Sequence, residues 1–290
     1  MGTIDHVILT RFNLPSAGVE SLIRAREGWL RSRVELFERY CVPSVRAQTT
    51  SNFSWIIYFD PQSPQWLLDR IEQHRAAGTF VPIFREEVDR ETLLADIRRV
   101  TGAAASELIT TNLDNDDGLA VDFVQRLQET QPREARSALY LTRGLIRRGD
   151  SLYSRVDRNN AFCSVRESWQ NPVSCWADWH NLLYKHMPVI EIAGAPGWLQ
   201  VIHGTNVSNR VRGTLTSPAQ FRDLFPGLID DVPSVSPAAL RRDRIVDAPL
   251  RLARDGTRSV VKAVAKGLLG KEGFSRAKKV LGLRRRAVSS

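Results

Sequence analysis

The sequence lacks any long hydrophobic run. Its longest unbroken stretch of bulky apolar side chains is Trp55-Ile56-Ile57-Tyr58-Phe59, where a transmembrane helix needs about 20 residues. No spanning helix is therefore expected. The first thirteen residues show no basic segment leading into an apolar one, and His6 stands where a myristoylation signal carries Ser or Thr. Neither a secretory leader nor an N-terminal acyl anchor is expected. Cysteine is scarce. Cys41, Cys163 and Cys175 are odd in number and widely spaced, so they form neither a disulfide framework nor a zinc pattern, and a reducing cytoplasm is the expected compartment. Internal repeats and low-complexity tracts are absent. The remainder is ordinary for a globular chain: 290 residues, 42% hydrophobic and 25% charged, enough for one large domain with appendages.

Charge is unevenly placed. The chain carries +9 overall, but residues 251–290 hold twelve Lys or Arg against Asp255 and Glu272. The first 250 residues are near neutral. A basic tail on a neutral body reads as an electrostatic attachment point rather than as a nucleic-acid-binding face.

Along the body, β-rich segments alternate with helical ones. Residues 4–10 read as a strand. Residues 28–41 read as a helix with Leu30, Val34, Phe37 and Cys41 on one face, stopped by Pro43. The apolar run 53–59 fits a strand buried on both faces. Ser63-Pro64 opens a helix as N-cap and first residue. A strand over 79–84, a helix from Asp89 or Arg90 to Gly102, a strand over 107–113 and a helix through Val121, Val124 and Leu127 follow. This alternation predicts an α/β fold with a mainly parallel central sheet flanked by helices. Short strands over 138–146 (turning at Gly144), 151–156 and 160–166 come next. A helix through Trp176, Trp179 and Leu183 leads to strands over 189–192 and 197–203. The expected organisation is a domain over 1–213, an irregular connector over 214–250 and an amphipathic or disordered tail over 251–290.

The segment most informative about chemistry is Leu113-Asp114-Asn115-Asp116-Asp117-Gly118-Leu119. Three carboxylates in four positions repel one another unless they are solvated, capping a helix or sharing a cation. They fall at the carboxyl end of a predicted strand, where open α/β sheets bind ligands. Close carboxylates suit Mg2+ or Mn2+, which also grip phosphate oxygens. An EF-hand is excluded by spacing, since Gly118 comes one place too early and Gln125 stands where Glu is needed. Asp116 is expected to be an exposed acid that packing does not require.

Two segments resemble the family 2 glycosyltransferases. Ser44-Val45-Arg46-Ala47-Gln48-Thr49 leads into Phe53-Ser54-Trp55-Ile56-Ile57-Tyr58-Phe59-Asp60, and about 55 residues later comes Leu113 to Leu119 followed by Asp122-Phe123-Val124. From Arg11-Phe12-Asn13 through Asp117 the wording is most similar to a bacterial rhamnosyltransferase family. The resemblance spans residues 5–130 and, more weakly, 160–210. It implies a GT-A nucleotide-diphosphosugar transferase fold in which Thr10 or Arg11 and Asp60 contact the donor nucleotide. It also implies that Asp114 and Asp116 form the metal-binding DXD element. Two departures stand out. Asp60 is followed by Pro61-Gln62-Ser63 rather than by a second Asp and Gly-Ser, and Ala177 replaces the usual Glu before Asp178.

Sugar transfer with inversion needs a base for the acceptor hydroxyl. Asp178, between Trp176 and Trp179, is the candidate. The flanking rings are expected to raise its pKa and to form an acceptor wall, and the alternative is a first-turn helix acid. His203, before Gly204-Thr205-Asn206, resembles the late histidine that completes the metal or diphosphate site in some GT-A enzymes. Trp198 is a further wall candidate. The expected activity is a metal-dependent, inverting glycosyltransferase using Mn2+ or Mg2+, a nucleoside-diphosphate sugar and a glycan or lipid-linked acceptor. The alternative is a non-catalytic sugar-nucleotide-binding or nucleic-acid-associated protein working through its tail. A nucleotidyltransferase ranks lower, because Thr10-Arg11-Phe12-Asn13-Leu14-Pro15 lacks a glycine-rich phosphate loop and a lysine. Between Arg258 and Leu268 apolar and basic side chains fall on opposite helical arcs, and further basic residues interleaved with Phe274 and Leu281 follow to Arg286, the pattern of a helix lying on an anionic membrane surface. A disordered tail is the rival reading, and nucleic acid is the least favoured partner. The expected location is cytoplasmic, peripheral at the inner face of the cell membrane.

Overall fold

Parallel pairing sets the frame. In a computed structural model, which describes residues 4–15, 28–132, 134–203 and 211–254, β1 (Ile4–Arg11) lies parallel to both β2 (Ser54–Phe59) and β4 (Glu107–Asn112). The outer strand β3 (Val81–Phe84) is parallel to β2. On the far side of β4 come the antiparallel β9 (Ser164–Ser168), then β6 (Arg136–Leu141) and β10 (Val189–Ile192), the last two parallel to each other. The order is β10-β6-β9-β4-β1-β2-β3, mainly parallel as expected. Both faces of the central strands are covered, so Val7, Ile8, Leu9, Ile56, Ile57 and Tyr58 are all fully buried. That is why these strands read as continuous apolar runs rather than alternating ones.

A second sheet was not foreseen. β5 (Gly118–Leu119), β7 (Arg143–Arg148), β8 (Ser151–Val156), β11 (Trp198–Ile202) and β12 (Thr214–Thr216) run in the order β12-β8-β7-β11-β5. The single strand predicted over 138–146 is two strands in different sheets, parted at Thr142. Gly144 lies inside β7 rather than at a turn. A Cβ there would come within 2.0 Å of the Trp198 ring, so the missing side chain makes room for that indole. Trp198 stacks on Phe162 at 5.1 Å and donates from Nε1 to Leu141 O. It is a core residue and not an acceptor wall.

Three local readings are corrected. The helix expected over 28–41 does not stop at Pro43. It runs as Trp29–Leu36, a π-helical turn Phe37–Cys41 and a last turn Val42–Arg46. The wide turn bonds Val42 N to Phe37 O, and the proline sits at the start of the segment after it, where no donor is missed. Ser63 does not cap the helix Gln65–Ala76. Its hydroxyl donates to Asp60 O and accepts from Asn13. The helix expected through Trp176 and Trp179 is a loop followed by the 3-10 helix His180–Lys185.

The chain divides into two units, Met1–Val235 and Ser236–Ser290. The expected connector over 214–250 is therefore split. Phe225, Leu228, Ile229 and Val232 are buried with Leu145, Leu152, Leu199 and Val201. Buried Arg147 binds Asp231 through two hydrogen bonds of 2.6 and 2.7 Å and donates to Leu228 O. In the second unit Ser236 caps the helix Pro237–Arg242 by accepting from Ala239 N. The stretch 258–286 lies outside the described residues. Among the described residues no helix is long and apolar enough to cross a membrane.

One buried group gives the fold a defined pH response. His6, on β1, shares hydrogen bonds with Thr111 and Gln128, and burial, then the nearby Arg166 charge, lowers its pKa from 6.5 to about 3. The folded chain keeps His6 neutral where the unfolded chain takes up a proton. The stability involved is complete above about pH 6.5 and is lost as pH falls. At 1.36 kcal/mol per pH unit the loss is about 2–3 kcal/mol by about pH 4.5. Chemical denaturation across that range should show this slope in the wild type. His6→Gln, which cannot take the proton, should start less stable and show a shallower slope. Equal slopes would rule His6 out as the cause.

Candidate active site

The carboxyl ends of β1, β2 and β4 meet, and the chemistry collects there. The register sets Arg11 beside Tyr58 and Leu9 beside Asn112, which brings Arg11, Asp60 and the 113–118 loop to one edge of the sheet. Leu113 N continues the ladder by donating to Leu9 O at 3.0 Å. Asn115 then turns back and donates to Phe12 O at 2.7 Å and Arg11 O at 3.2 Å. These two bonds fasten the acidic loop to the end of β1.

The three carboxylates of that loop occupy different environments. Asp116 is buried, correcting the expectation of an exposed acid. Its Oδ2 lies 2.5 Å from Arg33 Nη1 and 2.8 Å from His203 Nε2. Burial works to raise its pKa, but the hydrogen bond to His203 and the Arg33 charge outweigh it, and the carboxyl sits below the usual range. Asp117 accepts from Val201 N at 2.8 Å and so ties the loop to β11. Burial, then the charges of Asp116 and Asp114, push its pKa well up. Asp114 faces outward, yet the protein crowded around its carboxyl, followed by the Asp116 charge, raises its pKa too.

The other predicted residues are placed as follows. Thr10 is not available to a nucleotide. It is fully buried, its hydroxyl donates to Leu113 O and accepts from Trp55 Nε1, so its hydrogen bonding is used inside the core. Arg11 is exposed, with its guanidinium carbon 3.8 Å above the Trp176 ring. Asp60 is half-buried at the end of β2. Its backbone N–H donates to Asn13 and its Oδ1 accepts from Gln62 N. Trp176 donates to Asn112 Oδ1 at 2.8 Å and, with Arg11, Arg90 and His186, lines a recess of about 330 Å³. Trp179 is 71% exposed. The two rings therefore do not enclose Asp178, and its pKa is lowered instead of raised. Its hydrogen bond with His186 at 2.9 Å is the main cause, followed by Trp179 N. All three cysteines are free and buried.

Sequence reasoning missed Arg33. It lies three places after Leu30 and four before Phe37, on the stripe that the helix turns inward, and an arginine on an apolar stripe was the available signal. It also passed over Asn115, hidden between the aspartates.

A family model described as "putative rhamnosyl transferase" matches residues 5–215. The chain belongs to this rhamnosyl transferase family. Glycosyl transfer is the activity of that family, and the α/β sheet with its polar edge at β1, β2 and β4 agrees with the GT-A expectation. No curated protein matches the chain. Among solved structures, S. aureus TarS 1-349 in complex with UDP-GlcNAc is similar at 8% identity and a TM-score of 0.44, over 76% of this chain. The chain spans 64% of that structure. The inositol-1-phosphate CTP transferase from T. maritima is similar at 8% identity and a TM-score of 0.39, over 80% of this chain and 99% of its own. At such scores the assignment rests on the family match and on the topology described above.

Proposed function

We propose that this rhamnosyl transferase family member moves a sugar, rhamnose by the family's description, from a nucleoside diphosphate to a hydroxyl of a glycan or lipid-linked acceptor, with inversion and with Mn2+ or Mg2+ present. The observation that carries the reading is the bond between Asp116 and His203 at the carboxyl end of β4, on the loop that also carries Asp114. His203 reaches Asp116 from 87 residues away in sequence, and the family match covers both.

Whether the residues fit a cation is a question of donor chemistry. Among the described residues no group of three or more His, Cys, Asp or Glu side chains is arranged to hold a metal by itself. A closed, all-protein metal cage therefore does not fit. A cation shared with substrate does, because Mg2+ is commonly held by one or two carboxylates together with substrate phosphates. Asp114 and Asp116 supply those carboxylates, with His203 beside Asp116. When bound, the cation would neutralise charge developing on the departing diphosphate. Burial and then the Asp116 charge raise the pKa of Asp114, and a bound cation would offset that repulsion.

The chain's own residues do the rest. Arg11 and Asp60 stand at the ends of β1 and β2, where the donor nucleotide would lie. Arg11, stacked on Trp176, is braced by that ring and by the bond from Trp176 to Asn112. Asp178 is the proposed base. It is ionised at neutral pH, and His186 and Trp179 N orient its carboxylate. Trp176 and the exposed Trp179 would form the acceptor wall, where aromatic faces suit sugar rings. The basic stretch 258–286 would hold this cytoplasmic enzyme at an anionic membrane near lipid-linked acceptors.

Three outcomes are expected. EDTA should abolish transfer from a nucleotide-sugar panel, and added Mn2+ or Mg2+ should restore it. Full transfer in EDTA would remove the cation from the reaction. Asp178→Asn, similar in shape but unable to accept the proton, should lower kcat by roughly 10²–10⁴ with donor affinity nearly unchanged. Lost donor affinity with kcat intact would make Asp178 a binding residue. In cosedimentation, the full chain should bind vesicles in proportion to anionic lipid and lose them in salt, while a chain ending at residue 250 should not bind. Equal binding by both would exclude the tail as the anchor.

A further inference from the structure

One side chain bonded to the acidic loop comes from a helix that the quoted motif segments do not include. Arg33 is buried on the helix Trp29–Leu36, with Nη1 2.5 Å from Asp116 Oδ2 and 3.2 Å from Asn115 Oδ1. The Trp29 ring lies 5.2 Å from its guanidinium carbon. A guanidinium stays charged at any working pH, and a buried one needs an anion beside it. Here that anion is the carboxylate assigned to the divalent cation. Two positive charges cannot sit against one carboxylate oxygen without strong repulsion at this depth.

We propose that Arg33 is the resting counter-ion of Asp116, so that the cation binds well only together with the donor's diphosphate, which offers the guanidinium a replacement anion. The inference rests on the cation reading given above. The chemistry of the exchange is favourable, because the planar guanidinium fork matches phosphate oxygens as well as it matches a carboxylate. The local structure links the two partners. The π-helical turn Phe37–Cys41 directly follows the helix that bears Arg33, and Cys41 Sγ lies 3.7 Å from Asp114 O. The helix and the turn after it thus touch the loop at both positions, at the Asp116 carboxylate and at the Asp114 backbone carbonyl. Such turns are frequent at functional sites. A cation taken up alone would bring no donor with it. With Arg33 in place, Asp116 is covered until the diphosphate arrives.

The test is cation binding rather than turnover. Free Mn2+ is titrated by electron paramagnetic resonance against the full chain, alone and with UDP or dTDP as the probe. The wild type should bind Mn2+ alone weakly, and Arg33→Gln should bind it about tenfold or more tightly, because a unit charge next to the site has been removed. Arg33→Lys keeps that charge and should stay near the wild type. With the nucleoside diphosphate added, the gain in Mn2+ affinity should be large in the wild type and small in Arg33→Gln. Circular dichroism checks the fold, and Arg33→Met replaces the glutamine variant if that one does not fold. A neutral variant that folds but takes up Mn2+ alone no better than the wild type overturns the Arg33 inference. So does Arg33→Lys behaving like Arg33→Gln, which would trace the change to packing. If no chain binds Mn2+ even with UDP or dTDP, the cation reading itself fails and this inference goes with it.

Discussion

A carboxylate cannot be buried alone, and the burial of Asp116 organises this end of the molecule. Its countercharge comes from Arg33 on a helix more than 80 residues earlier, and its second bond comes from His203, 87 residues later. Each partner fixes the segment that carries it. Arg33 sets the rotation of its helix against the loop, and His203 sets the end of β11. Desolvation of the acid is unfavourable by itself, so the three segments hold this arrangement only jointly. Asn115 adds the backbone anchor by bonding to Arg11 O and Phe12 O.

The adjacent aspartate shows how a short loop can serve two sheets. Asp114 faces outward at the end of the parallel sheet, while Asp117 faces inward and bonds Val201 N in the second sheet. Gly118 and Leu119 then pair with Leu199 and Trp198. Gly118 has little space, as a Cβ there would lie 2.9 Å from Leu228. The second sheet is in this way what brings His203 to Asp116, and the buried segment around Phe225 and Leu228 backs it. Trimming the chain before residue 235 would uncover that support.

Below the active edge, polar groups are buried in pairs or networks. His6, Thr111 and Ser164 are linked across β1, β4 and β9. Arg166 binds Glu107 and the carbonyls of Gln128 and Thr130, and Glu167 accepts from Arg136, Val173 N and Ser174 N. The last set anchors the start of the loop that carries Trp176 and Asp178. A parallel sheet covered on both faces needs such networks to bury charged side chains at all.

Much of this was legible in the residues. The β-rich segment 4–10 read as a strand and the apolar run 53–59 as a strand covered on both faces, and Asp89 with Gly102 bounded a helix through a side-chain cap and a left-handed glycine. Asp114 and Asp116 stood out because closely spaced acids after a strand are costly without a use. These signals are local, set by periodicity, capping and spacing. What the sequence hid depends on distant partners. A sheet change at Thr142 needs two sheets to exist, and Pro43 inside a helix needs the wide turn before it. The hydroxyl of Thr10 is engaged by Trp55 and Leu113, which only folding brings near. Asp178 has a lowered pKa because His186 comes round to it, although its neighbours in sequence argued for the reverse. Asp116 was read as an acid of the site and, wrongly, as exposed. Residue type and spacing determined its chemistry, while its burial, its countercharge from Arg33 and its bond to His203 were decided by tertiary structure, because desolvation and Coulomb pairing depend on distance in space.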